Sequence, residues 1–255
     1  MSNVTANPLL VFVFSCFILW LSAQAGMFVL QRHRKLAEQM HEDFGVILAA
    51  TLTLLGLIIG FSFSMAVNRY DQRKDFEEAE ANAIGTEYVR ADLLPAADAT
   101  KLRALLKKYL DQRVLFYITH DEEQIRQINA RTAQLQAELW STVVAPAAAQ
   151  PTPLVALAVS GMNDVLNSQG YTQAAWWNRI PIAAWGLMVA IAVCCNGLVG
   201  FGARHMKAKG IMLLILPLIL SIAFLLIADI DSPRGGLIHV NPKNLVSLAE
   251  SLGTH

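Results

Sequence analysis

Four strongly apolar stretches of this chain contain no Asp, Glu, Lys, Arg or His: Pro8 to Leu30, Gly45 to Val67, Ile180 to Ala203 and Gly210 to Ala228. Crossing a hydrocarbon core takes about 20 helical residues, and a backbone inside it must satisfy its own hydrogen bonds, which a helix does. Each stretch meets the length. Of the 255 residues, 55% are hydrophobic and 16% charged, with a mean hydropathy of +0.42. That is too apolar for an ordinary soluble domain, and the remaining chain is too small a shell to cover four buried helices of this kind. The chain reads as an integral membrane protein with the lipid bilayer as its surroundings. Its net charge is zero, so no basic surface marks nucleic acid as a partner.

Ala23-Gln24-Ala25 has small-x-small spacing like a signal cleavage site. The leading MSNVTANP carries no Lys or Arg, however, and the apolar run continues through Leu30, so a retained helix is expected. The four spans pair into hairpins closed by Gln31 to Phe44 and by Arg204 to Lys209, with about 110 polar residues between the pairs. The expected fold is an all-α integral membrane protein, two transmembrane hairpins flanking a helical extramembrane bundle. Its divisions are 1–68 for the first hairpin, 69–178 for the bundle, 179–229 for the second hairpin, and 230–255 for a C-terminal tail docking on the bundle. The positive-inside rule does not orient it. Arg32, Arg34, Lys35, Arg204, Lys207 and Lys209 in the short loops balance Arg69, Arg73, Lys74, Arg179, Arg234 and Lys243 on the other face, six against six.

The second span runs as LLGLIIGFSFSMAVNRYDQRK from Leu54, apolar and then abruptly charged, with neither Gly nor Pro between Gly60 and Gly85. One long helix leaving the membrane through Arg69, Tyr70 and Glu77 is expected. Gly56, Gly60 and Ser64 recur every four residues on one face and either pack closely against another helix or face a pore. The adjacent stripe of Leu57, Phe61 and Met65 either faces lipid or forms apolar rings about a symmetry axis, where a constriction gates by dewetting.

The middle region reads as helical. Leu102, Leu105, Leu106, Tyr109 and Leu110 fit one amphipathic face. Thr119-His-Asp-Glu122 has capping-box spacing, and Ile125, Ile128, Thr132, Leu135 and Leu139 form a narrow seam expected to pack within the subunit. Ala145 to Pro153 reads as a proline-broken loop. A further helix is expected from about Leu154 to Leu166, ending near Gly170. Trp176, Trp177 and Arg179 read as interfacial anchors.

Chemistry is sparse. Cys16, Cys194 and Cys195 lie inside spans without C-x-x-C spacing, the six histidines are scattered, and no phosphate loop or nucleophile elbow occurs. Gly197-Leu-Val-Gly200-Phe-Gly202 reads as helix packing. Asp75, Glu77, Glu78, Glu80 and Glu87 read as carboxylates on a solvated helix rather than a cation site. No enzyme, cofactor or metal site is expected.

GFSFSMAVNRYDQRK with EEAEANAIGTEYVRADLLP, and IDSPRGGLIHVNPKNL after the last span, resemble the bacterial bestrophin-like family, a membrane domain of unknown function, over nearly the whole chain. The layout is more distantly similar to the bestrophin ion channels. That resemblance implies a homo-oligomer, a pentamer by similarity, in the bacterial inner membrane, with the bundle on the cytoplasmic side and inorganic ions as permeants. It implies a pore neck at Leu57, Phe61 and Met65, a polar segment below it at Asn68, Arg69, Tyr70, Asp71 and Arg73, and a post-membrane turn at Asp229, Asp231, Pro233 and Gly235. The dense acidic cluster that binds calcium in animal bestrophins is missing. In the turn, carboxylates and Ser can cap local N–H groups while Pro and Gly supply turn dihedrals. Leu237 to Val240 reads as a short strand, and Pro242 as the opening of a helix with Leu245, Leu248 and Leu252 on its apolar side. The expected function is a homo-oligomeric ion channel. The alternative is a membrane-anchored sensor or scaffold whose bundle binds a partner protein.

Overall fold

A computed structural model describes residues 7–32, 41–203 and 209–253. The helices are α1 (Pro8–Arg32), α2 (His41–Arg90), α3 (Ala96–Ile118), α4 (Glu122–Ala149), α5 (Pro153–Trp177), α6 (Ile182–Gly202), α7 (Lys209–Asp231) and α8 (Lys243–Gly253), with a 3-10 turn at Ala91–Leu93. Four helices are long and apolar enough to cross a membrane, and the protein is an all-α, multi-pass membrane protein. The loop cations Arg34, Lys35, Arg204 and Lys207 lie outside the described residues. The expected long helix is there: α2 continues for 50 residues from its apolar half through the NRYDQRK segment. Helix α1 likewise passes through Ala23-Gln24-Ala25 without a break.

The chain divides into two compact units. One comprises 1–69 with 179–239, the other 70–178 with 240–255.

In the first unit α1 packs on α6 and α7. The glycines of α6 permit close backbone approach. A Cβ on Gly200 would stand 1.9 Å from the Ala23 carbonyl oxygen, and one on Gly26 would stand 1.9 Å from that of Gly197. Ser22 donates its hydroxyl to the Val193 carbonyl at 2.6 Å across the same contact. Small residues let van der Waals packing join helices where no hydrophobic force acts between them.

In the second unit α3, α4 and α5 enclose a core of Leu102, Leu106, Tyr109, Leu135, Leu139 and Met162, all buried. Ile128, Thr132, Leu135 and Leu139 are buried on α4, so that seam is intrasubunit packing. Helix α8 docks here, with Leu245 buried and Leu248 and Leu252 against the core.

Several expectations are corrected. The N-cap of α4 is Asp121, whose carboxylate accepts from the Gln124 N–H at 2.8 Å, not Thr119. A carboxylate one turn from the first free amides is an equally good acceptor and adds a favourable charge at the helix N-terminus. Residues 145–149 are helical, with Pro146 inside α4, and the connection shrinks to residues 150–152. Pro146 removes one backbone donor, but its own carbonyl accepts from Gln150 at 2.8 Å, and the alanines around it favour helix. Helix α5 runs past Gly170 to Trp177. No strand occurs at 237–240, nor elsewhere among the described residues; the Leu237 and Ile238 amides bond a carboxylate instead. Trp176 is a core residue, with its ring centroid 4.9 Å from Phe116 and 5.3 Å from Tyr117. Trp177 is exposed.

Glu77, Glu80 and Glu87 are not solvated: each is buried within the second unit. Glu77 caps α8, accepting from the Leu245 N–H at 2.9 Å and from Asn244 Nδ2 at 2.7 Å. Glu80 accepts from Arg113, itself fully buried, and from the Thr172 hydroxyl at 3.1 Å.

Candidate functional site

On the membrane half of α2, Leu55, Ser62 and Ala66 are buried within the subunit. At 100° per residue these three lie within one narrow sector of the helix; Leu57, Phe61 and Met65 fall about 160°, 120° and 80° from its centre, and Gly56, Gly60 and Ser64 about 100°, 140° and 180°. The exposures match: 53%, 64% and 39% for Leu57, Phe61 and Met65. Gly56, Gly60 and Ser64 are exposed too, and a Cβ on either glycine would meet nothing within 4 Å. Among the described residues, then, nothing packs against the two glycines of that stripe. Both stripes are free surfaces of one subunit.

The polar residues that follow separate. Asn68 is exposed. Arg69 turns into the first unit and donates from Nη1 to Asp231 Oδ1 at 3.3 Å. Tyr70 packs partly buried on the core of the second unit, Arg73 is buried and Asp71 is exposed.

The turn after α7 is built on three side chains. The Asp231 oxygens accept from the Ile180 N–H at 3.1 and 3.2 Å besides Arg69. Asp229 accepts from the Leu237 N–H at 2.7 Å and from the Ile238 N–H at 3.0 Å. The Ser232 hydroxyl accepts from Arg179 Nη2 and from the Gly235 N–H, each at 3.0 Å. Carboxylates at a helix C-terminus oppose the helix dipole, so these donors offset an intrinsic cost. Gly236 has φ +94°, and a Cβ there would stand 1.7 Å from Asp229 Oδ1. Pro233 and Gly235 lie in the bend that follows α7. Gly236, Ser232, Arg179 and the Ile180 amide carry its geometry, and of these only the Ser and Gly content was visible in the sequence. Among the described residues no three His, Cys, Asp or Glu side chains are grouped to hold a metal ion.

A family model described as the bestrophin-like domain matches residues 14–245. The chain belongs to the bestrophin-like family. Solved structures agree on the fold. A variant of a bacterial bestrophin homologue from Klebsiella pneumoniae aligns at 13% identity with a TM-score of 0.63, covering 94% of this chain and 97% of that one. Another variant of the Klebsiella pneumoniae homologue aligns at 15% identity and a TM-score of 0.64, covering 95% and 97%. The homologue phased on zinc gives 14%, 0.61, 92% and 94%. Identities this low establish a shared bestrophin architecture. No curated protein matches the chain.

Proposed function

We propose that this bestrophin-like chain is the subunit of a homo-oligomeric ion channel in the bacterial inner membrane. Its second transmembrane helices ring a common axis, and Leu57, Phe61 and Met65 form an apolar neck. The observation that carries the reading is that Leu57, Phe61 and Met65 lie outside the face the span buries within its own subunit and stand exposed there. In a ring those side chains meet their symmetry copies. Gly56, Gly60 and Ser64 then let neighbouring copies of α2 approach closely. An apolar constriction controls ions by wetting and needs no charge within the membrane. Arg69, held by Asp231, fixes the azimuth of α2 one to two turns below the neck. Resemblance to bestrophins favours a pentamer, with the bundle on the cytoplasmic side and inorganic ions as permeants.

The test is ion flux into liposomes containing the purified oligomer, wild type against Phe61→Ala, under chloride and then potassium gradients. Phe61→Ala raises flux by about tenfold or more if removal of the ring widens and wets the neck. Equal flux in a conducting wild type and the variant would remove Phe61 from the neck, and absence of flux from a folded oligomer in both would overturn the channel reading.

A further inference from the structure

A groove of about 460 Å³ runs along the first unit between α1, α6 and the end of α7. This lies within the roughly 300–1,000 Å³ range of small-molecule sites. Its walls are apolar: Val11, Phe14 and Ile18 from α1, Val189 from α6, and Phe224 from α7. The charged groups in its lining, Arg179 and Asp231, both belong to one end. They stand where the spans leave the apolar stretch, because Arg179 immediately precedes the uncharged third span and Asp231 ends α7.

Three observations point to the occupant. First, depth: the groove follows α1 from Val11 to Leu19, about 12 Å at 1.5 Å per residue. That approaches the roughly 15 Å of one leaflet in a hydrocarbon core of about 30 Å. Second, charge: Asp231 is buried and holds Arg69, whereas Arg179 donates to the neutral Ser232 hydroxyl and forms no ion pair among the described residues. The polar end of the groove therefore presents an uncompensated guanidinium, the group best suited to forked hydrogen bonds with phosphate. Third, the lining is cut away at Gly186, where a Cβ would meet nothing within 4 Å.

We propose that this groove binds an anionic phospholipid, its phosphate at Arg179 and one acyl chain against Val11, Phe14, Ile18 and Val189. The site shares no residue with the α2 stripes, and it stands whether or not the protein conducts. Because Asp231 and Ser232 also organise the turn after α7, an occupied groove adds a ligand to the same cluster and stabilises it.

The purified oligomer in neutral detergent is tested for thermal stabilisation and, by native mass spectrometry, for retained lipid. The ligands are phosphatidylglycerol, phosphatidylcholine and inorganic phosphate at equal concentration. Phosphatidylglycerol is expected to raise the transition temperature more than phosphatidylcholine, and inorganic phosphate to leave it unchanged. Gly186→Leu, whose Cβ meets nothing within 4 Å and whose side chain extends into the groove, removes lipid retention at unchanged oligomer size. Arg179→Gln lowers the preference for phosphatidylglycerol over phosphatidylcholine about tenfold, the loss of one charge-assisted contact. Undiminished retention in Gly186→Leu, an unchanged preference in Arg179→Gln, or a full shift with inorganic phosphate would each overturn the proposal. So would dissociation of the Gly186→Leu oligomer, since a second copy of the chain would then be the occupant.

Discussion

Arg69 and Asp231 lie 162 residues apart and are joined by a single hydrogen-bonded ion pair, Nη1 to Oδ1 at 3.3 Å, both side chains largely buried. The pair fixes the second transmembrane helix to the end of the fourth. Asp231 sits at a helix C-terminus, where its charge is opposed by the dipole, so Arg69 and the Ile180 amide together hold it there. Asp231→Ala leaves a buried guanidinium and a buried N–H without their acceptor. A loss of about 3 kcal/mol is expected, read as a lower thermal transition in detergent. Asp231→Asn keeps an acceptor for Ile180 and loses less; equal losses would mean that the charge carries the whole effect and the neutral acceptor contributes nothing.

Gly236 is the one described residue with a left-handed φ. Gly236→Ala places a Cβ against Asp229 Oδ1 and strains the backbone, at a combined cost of about 2 kcal/mol or more. Weaker protection of the Leu237 and Ile238 amides against hydrogen exchange is the specific signature, since both donate to the carboxylate that would be displaced.

Glu80 and Arg113 are both fully buried, and the guanidinium carbon of Arg113 also stands 4.5 Å from the Phe116 ring centroid. Glu80→Ala strands Arg113 and the Thr172 hydroxyl and is expected to cost about 3–5 kcal/mol. Pairing Glu80→Leu with Arg113→Met removes both charges and recovers most of that loss, because no buried charge is then stranded and only the Thr172 hydroxyl loses its acceptor. Additive losses in the double-mutant cycle would count against a coupled pair.

Glu87 is buried against α5, where the side chains of Glu87 and Arg90 fill the space a Cβ on Gly161 would need. Burial raises its carboxyl from 4.5 to about 8, opposed by the Arg90 charge and helped by Asp164. The folded protein therefore holds a proton that the unfolded chain releases between these two values. By linkage, stability falls as pH rises from about 4.5 to 8 and levels off above. Glu87→Gln mimics the protonated form, flattens that slope and is more stable than wild type at pH 8.5 by on the order of 1 kcal/mol. Parallel slopes for the two proteins in denaturation measured across this range would rule Glu87 out as the group responsible.

Much of the architecture was legible because its signals are local or compositional. Four uncharged stretches must be helical in a bilayer, and a run without Gly or Pro after Gly60 continues as helix into the charged NRYDQRK segment. Leu102 to Leu110 and Leu245 to Leu252 carry their buried faces in their spacing. The errors have a common physical form. Pro146 and Gly170 are helix breakers by propensity, yet their helices are held by packing, which outweighs a single residue's preference. Asp121 and Thr119 are both good caps, and only the backbone path selects one.

What the sequence determined by itself is the helical membrane class and the spans, since periodicity and hydropathy act along the chain. What only the tertiary structure decided is the fate of the charges. Glu77, Glu80 and Glu87 look like a solvated run because burial depends on donors far away: the α8 amides, Arg113 and Thr172, and the space left at Gly161. The partnership of Arg69 with Asp231 is likewise invisible until both helices are in place, because an ion pair is fixed by distance in space and carries no period in sequence.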